Sequence, residues 1–452
     1  MNKFTSLAAL VLAPLAALHA AETNGVAIEA TAPGTVISPL LTLKLAGDWR
    51  IIVTANANQS RVNATLDVAL PEVIVVTAEK HDKLRDFNPN VFGWDKGSLL
   101  NEIRACETAA KGALDPASLV VRDGTEATAT PFDKGKDFDA DLEWGAVGRL
   151  PAGRIQADQQ VFISYKYAKR RIDSVVLGTD RKITIKPGEP QVAMCKPPEL
   201  AAGESRLANI FIAGMISALT PDNLFPILEI AYPEPPKPVQ SIAEARLPKT
   251  MKKLQSGEPL RILAWGDSVT GYQRWQKMFV ARLQAKYPKA QIELITEAWP
   301  AHNSANYLAE PTGSEQNYQE KVLNRKPDLI ISEFVNDAGL TPAEVDEQYG
   351  KLLADFQKIG AEWTILTPHY VLTELMPGFT KQRDIDNDPR PYVAGLRTFA
   401  EKNHVALADA SLRYGRLWRQ GIPYLTLMEN NVNHPNEYGH SLFSDSLIAL
   451  FR

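Results

Sequence analysis

From residue 260 onward, apolar runs alternate with segments whose apolar residues recur at helical spacing. Runs at 261–267, 291–298, 328–335, 362–369 and 404–409 predict buried strands. The intervening 272–286, 315–325, 342–359, 391–403 and 436–451 predict helices. Apolar strands alternating with helices imply an α/β fold, a five-stranded parallel sheet with helices on both faces. Right-handed crossovers put all the strand carboxyl ends on one edge.

The preceding part has a different texture. Between 22 and 231 the runs are short, β-branched and often alternating, as at 49–54, 72–77, 161–167 and 182–185. Turn signals such as Asp123-Gly124, Pro151-Ala152-Gly153 and Lys186-Pro187-Gly188 separate them. This predicts a β-rich, sandwich-like region, with helical pieces near 97–112 and 203–218. Residues 232–259 open with Tyr-Pro-Glu-Pro-Pro-Lys-Pro. Proline fixes φ and removes donors, so this segment reads as a stiff linker or as an ordered connector packed on one domain. Four parts follow: 1–21, 22–231, 232–259 and 260–452.

Residues 1–21 have the pattern of a secretory signal: Lys3, an apolar 7–18 stretch, then Ala20 and Ala21. That stretch is too short for a membrane span, so the expected location is secreted or periplasmic. Cys106 and Cys195 could close one disulfide there, or remain two buried thiols. No Cys/His cluster has metal-ligand spacing, so no metal is expected. The net charge of -4 and the lack of a basic patch argue against nucleic acid. Trp49, Trp94 and Trp144 read as core aromatics, with a sugar platform as the alternative. Asn58 and Asn63 open glycosylation sequons.

The residues able to do chemistry fall at the predicted strand ends. Ser268 follows the first strand, on a turn into a helix. Trp299-Pro300-Ala301-His302-Asn303-Ser304 follows the second, Asn336-Asp337 ends the third, and His369-Tyr370 ends the fourth. His434-Pro435-Asn436 opens the last helix. Residues far apart in sequence thus converge on one edge, where open α/β sheets bind ligands.

Gly266-Asp267-Ser268, Asn336-Asp337 and His434-Pro435-Asn436, in that order, resemble the SGNH (GDSL-type) hydrolases over roughly 260–452. The resemblance implies a flavodoxin-like sheet and an esterase without metal or organic cofactor. It makes Ser268 the nucleophile and His434 its base. The oxyanion hole would comprise the Ser268 and Ala301 backbone N–H groups and the Asn336 side chain. By position beside that hole rather than by the resemblance, Trp299 is read as a sugar-stacking face and His302 as lining the substrate site, with loop surface the alternative for His302.

Three positions depart from the family pattern: Ala301 and Phe334 replace glycines, and Asn431 replaces the aspartate three residues before the histidine. The expectation is a Ser-His dyad with Asn431 as a neutral orienter, or with Glu333 or Glu429 as the carboxylate. An activity limb near pH 6.5 follows from an ordinary histidine. Asp267 and Asp337 are expected in structural turns, Trp265 in the core, and His302, His369 and Tyr370 on loop surface. The reading is a secreted serine esterase removing O-acyl groups, chiefly acetyl, from a carbohydrate. The alternatives are a lipase, arylesterase or thioesterase of the same fold, or a non-catalytic carbohydrate-binding protein with a decayed hydrolase domain.

Overall fold

The computed structural model describes residues 35–37, 41–57, 60–376, 378, 382–383 and 385–452. The expected signal at 1–21 and most of the Asn58 sequon lie outside the described residues.

The β-rich region contains a sandwich. Thr35–Ile37, Leu41–Leu45, Arg50–Ala57 and Ser60–Asp67 form an antiparallel meander. Its alternating Leu41, Leu43, Ile51 and Val53 bury against Val175, Ala208 and Ile210. Those three residues belong to a second sheet, ordered Ile183–Lys186, Arg171–Leu177, Ser205–Ile212, Leu224–Pro226. Alternation along each strand thus supplies one apolar face per sheet, and the two faces make the core.

The helix expected near 203–218 is instead the strand Ser205–Ile212. Its residues Ala208 to Ile212 are buried on both faces, a pattern that periodicity cannot separate from a helix. The helix expected near 97–112 is instead a series of short turns and the hairpin Arg104–Ala105/Thr108–Ala109. Buried Leu100 and Ile103, three apart, mimic helical spacing there. Cys106, at the hairpin tip beside Glu107, has φ 56°.

Of the two alternatives for 232–259, the segment has the contacts of an ordered connector at both ends, with 235–240 exposed between them. Arg413 lies 4.5 Å above the Tyr232 ring and pairs with Glu234 at 2.7 Å. Ser241 and Glu244 form a reciprocal cap on the helix Ile242–Arg246. The helix Pro248–Ser256 buries Met251 and Leu254.

The C-terminal sheet comprises β1 (Pro259–Gly266), β2 (Gln291–Ala298), β3 (Leu329–Glu333), β4 (Glu362–Leu366) and β5 (Ala406–Ala408). All neighbours are parallel and the order is β2-β1-β3-β4-β5. This is the flavodoxin-like order, whose switch point lies between β1 and β3. Trp265 is fully buried in the core on one side of the sheet. On the other side, one apolar cluster runs from Ile262 and Ala264 to Leu100, Ile103, Trp144 and Tyr165 of the β-rich region. The two halves therefore share a core. Trp49 donates its indole N–H to the Ser217 carbonyl, and Trp94 packs edge-on to Trp144 at 4.9 Å.

Of the two alternatives for the cysteines, the free-thiol one holds, but only Cys195 is buried and Cys106 is exposed. Among the described residues, no helix is long and apolar enough to cross a membrane.

Candidate active site

At the C-terminal end of β1, Gly266 is hemmed in by backbone. A methyl group there would sit 2.2 Å from the Glu333 carbonyl oxygen and 2.3 Å from the Thr270 Oγ1. Only glycine allows β1 and β3 to stay this close where the chain turns toward Ser268. Asp267 then ties the two loops together. Its Oδ1 accepts from the Val269 N–H at 3.1 Å, and its Oδ2 accepts from the Asn336 N–H at 3.0 Å. Burial pushes its carboxyl up to about 7, although those two N–H donors favour the charged form. Asp337 does the corresponding work for the next loop, accepting from the Ser304 N–H, the Ser304 hydroxyl and the Tyr349 hydroxyl at 3.1, 2.6 and 2.9 Å. Both aspartates thus have the structural turn bonds expected of them.

His434 Nε2 lies 3.1 Å from Ser268 Oγ. The loop that brings the imidazole there is wound on Asn430, whose Oδ1 accepts from the N–H groups of Val432, Asn433 and His434 at 3.0, 2.9 and 3.0 Å. Below it, His369 Nε2 lies 2.8 Å from the Asn433 carbonyl oxygen. Asn336 is exposed, and its Nδ2 donates to the His302 carbonyl at 3.3 Å. An amide carries two N–H groups, so one stays available for a ligand. Ala301 has φ 63°, the left-handed region. That explains why glycine suits this position, since a side chain there costs about 1 kcal/mol.

A hydroxyl within reach of a neutral imidazole, beside loops carrying an amide donor, is equipped for acyl transfer. Residues 263–442 match the family model described as GDSL-like Lipase/Acylhydrolase family. This segment is a GDSL-like lipase/acylhydrolase domain. No curated protein matches the chain. Among solved structures, a mutant of Axe2, an acetyl-xylooligosaccharide esterase from Geobacillus Stearmophilus, aligns at 18% identity and TM-score 0.34, over 42% of this chain and 92% of that one. LAE5, an alpha/beta hydrolase enzyme from the metagenome of Lake Arreo, Spain, aligns at 18% identity and TM-score 0.34, over 42% and 94%. TesA aligns at 17% identity and TM-score 0.30, over 42% and 98%.

The GDSL-like domain does not use Asn431 to orient His434. Asn431 has φ 58° and turns its side chain away, toward the β-rich region. There its Oδ1 accepts from Arg170 Nη1 at 2.7 Å, and its Nδ2 donates to the Val192 carbonyl at 3.3 Å. Arg170 is buried, and burial depresses its guanidinium to about 10. Removing the amide leaves a buried cation short of an acceptor. Asn431→Ala is therefore expected to cost about 1–3 kcal/mol of stability with little change in kcat, as checked by thermal melts alongside turnover.

Neither acid considered for the domain's histidine reaches it. Glu333 is fully buried and accepts from the Thr270 hydroxyl at 3.1 Å. Glu429 accepts from Arg274 at 2.5 Å. Instead, His434 Nδ1 lies 3.1 Å from Glu107 Oε1 and 3.2 Å from the Tyr272 hydroxyl. Glu107 comes from the hairpin of the β-rich region, and sequence reasoning missed it because nothing in the motif points 300-odd residues upstream. Tyr272, four residues after the serine, was within reach of such reasoning.

His369 and Tyr370, expected on the surface, are buried. Trp299 and His302 stack on each other at 3.7 Å and 9°, so one face of the indole is already covered. Burial lowers His434 below the usual 6.5, with Glu107 and Glu429 opposing the shift. Its activity limb is thus placed below the expected pH 6.5.

Proposed function

We propose that the protein is a secreted serine esterase that removes O-acyl groups, chiefly acetyl, from a carbohydrate. The observation that carries the chemistry is the 3.1 Å approach of His434 Nε2 to Ser268 Oγ. His434 takes the Oγ proton as Ser268 Oγ bonds the ester carbon. The developing oxyanion is met by the Ser268 and Ala301 backbone N–H groups and the free N–H of Asn336. The C–O bond to the sugar breaks, and the leaving oxygen takes the proton from Nε2. Water, deprotonated by the same nitrogen, then releases the acid and restores Ser268.

A carbohydrate is favoured by a cavity that meets the site at Glu107. It measures about 270 Å³ and is lined by Trp94, His81, Arg85, Asn101, Arg104 and Glu107. An aromatic ring among convergent polar groups suits a polyhydroxylated ligand. The expected result is acetate release from an acetylated polysaccharide such as acetylxylan. On p-nitrophenyl esters, rates should fall as the acyl chain lengthens from acetyl. A preference for long chains would favour a lipase or thioesterase instead. Hydrolysis of no ester at all would leave a binding protein.

A further inference from the structure

The family's carboxylate position holds an amide that faces elsewhere, yet the imidazole is not without an acid. The hairpin Arg104–Ala105/Thr108–Ala109 presses its tip against the histidine loop. The buried Thr108 hydroxyl donates to the Asn430 carbonyl, and Cys106 Sγ lies 3.8 Å from the Glu429 carbonyl oxygen. Between these anchors, Glu107 Oε1 accepts from Asn430 Nδ2 at 2.7 Å and lies 3.1 Å from His434 Nδ1. Asn430 is buried and also winds the loop that carries His434. One amide therefore sets the position of both the imidazole and its carboxylate.

We propose that Glu107 is the positioning carboxylate of the catalytic histidine, so that the Ser-His-acid unit is assembled across the two halves of the chain. The proposal rests on the Ser268-His434 reading above. The negative charge of Glu107, 3.1 Å from Nδ1, favours the proton on that nitrogen, so the lone pair of His434 is on Nε2, the nitrogen facing Ser268. The proton on Nδ1 stays there throughout. The carboxylate offsets the charge of the imidazolium present while the leaving oxygen departs. Without it, the Tyr272 hydroxyl could donate to Nδ1 and put the proton on the wrong nitrogen.

This role makes the β-rich region part of the catalytic apparatus. It also accounts for the tolerance of Asn431 where the family has aspartate: the charge is supplied from the other side of the ring. Glu107 is half exposed, so solvent screens it and its influence on the imidazole is moderate.

Glu107→Gln separates charge from shape, because the amide oxygen can keep the bond from Asn430. The other groups near His434 stay in place: Glu429, Tyr272, Arg274, Cys106, His369 and His440. Because solvent screens Glu107, the expected loss in kcat is on the order of 10–10²-fold, with KM nearly unchanged. The sign of the pH effect follows from charge. A carboxylate favours imidazolium, so removing it lowers the His434 pKa, and the acid limb of kcat/KM moves to lower pH by roughly 0.3–1 unit. A role in docking alone would lower thermal stability and leave the limb in place. Nitrogen-15 NMR titration of His434 reads the same shift without requiring turnover. Activity within about threefold of wild type, or an unmoved limb and titration, overturns the proposal. If the wild type is inactive or Ser268→Ala is active, the underlying esterase reading fails instead.

Discussion

Ser268→Ala is expected to lower kcat/KM for an acetyl ester by on the order of 10⁴–10⁶-fold, with the fold unchanged. The hydroxyl is half-buried at the end of β1 and makes its side-chain contact with His434, so its removal disturbs little else. His434→Ala is expected to cost nearly as much. The double variant should be no worse than either single one, because nucleophile and base act as a unit. Additive losses would mean that the two residues serve separate steps. Steady-state kinetics on the three variants, with circular dichroism to verify folding, decides this.

Asn336→Ala should have the next largest effect, a fall in kcat on the order of 10²–10³-fold with KM little altered. That split follows from where the amide acts. It donates to an oxygen only when charge develops there, so the ground state loses little. Its other N–H bonds the His302 carbonyl, which fixes its direction before substrate arrives. A rise in KM with kcat preserved would move Asn336 from the oxyanion hole to simple substrate binding.

The part of this architecture legible in the sequence was the part written in local patterns. Continuous apolar runs predicted β1 to β5 in order, and β2 matches its expected limits of 291–298. The placing of Ser268, Asn336 and His434 at strand ends followed from the handedness of the crossovers. Local spacing failed where burial was two-sided, as at Ser205–Ile212, and where three-residue spacing arose from turns, as at Leu100 and Ile103.

Long-range pairing was invisible. Asn431 lies only three residues before His434 along the chain, a spacing that predicts contact with the imidazole. Its left-handed backbone turns the side chain to Arg170 instead. Glu107 lies on a stretch read as helical, so the hairpin tip that carries it to the imidazole could not be anticipated. Burial likewise removed His369 from the surface and made it a prop for the histidine loop.

An organophosphate tests the central claim most directly, since it reacts with an activated serine and leaves a stable mass. After treatment at neutral pH, peptide mass spectrometry should find the phosphoryl adduct on Ser268 alone, in step with loss of esterase activity, and His434→Ala should block it. An active enzyme whose Ser268 stays unmodified, or an adduct on another residue that tracks the inactivation, would contradict the account.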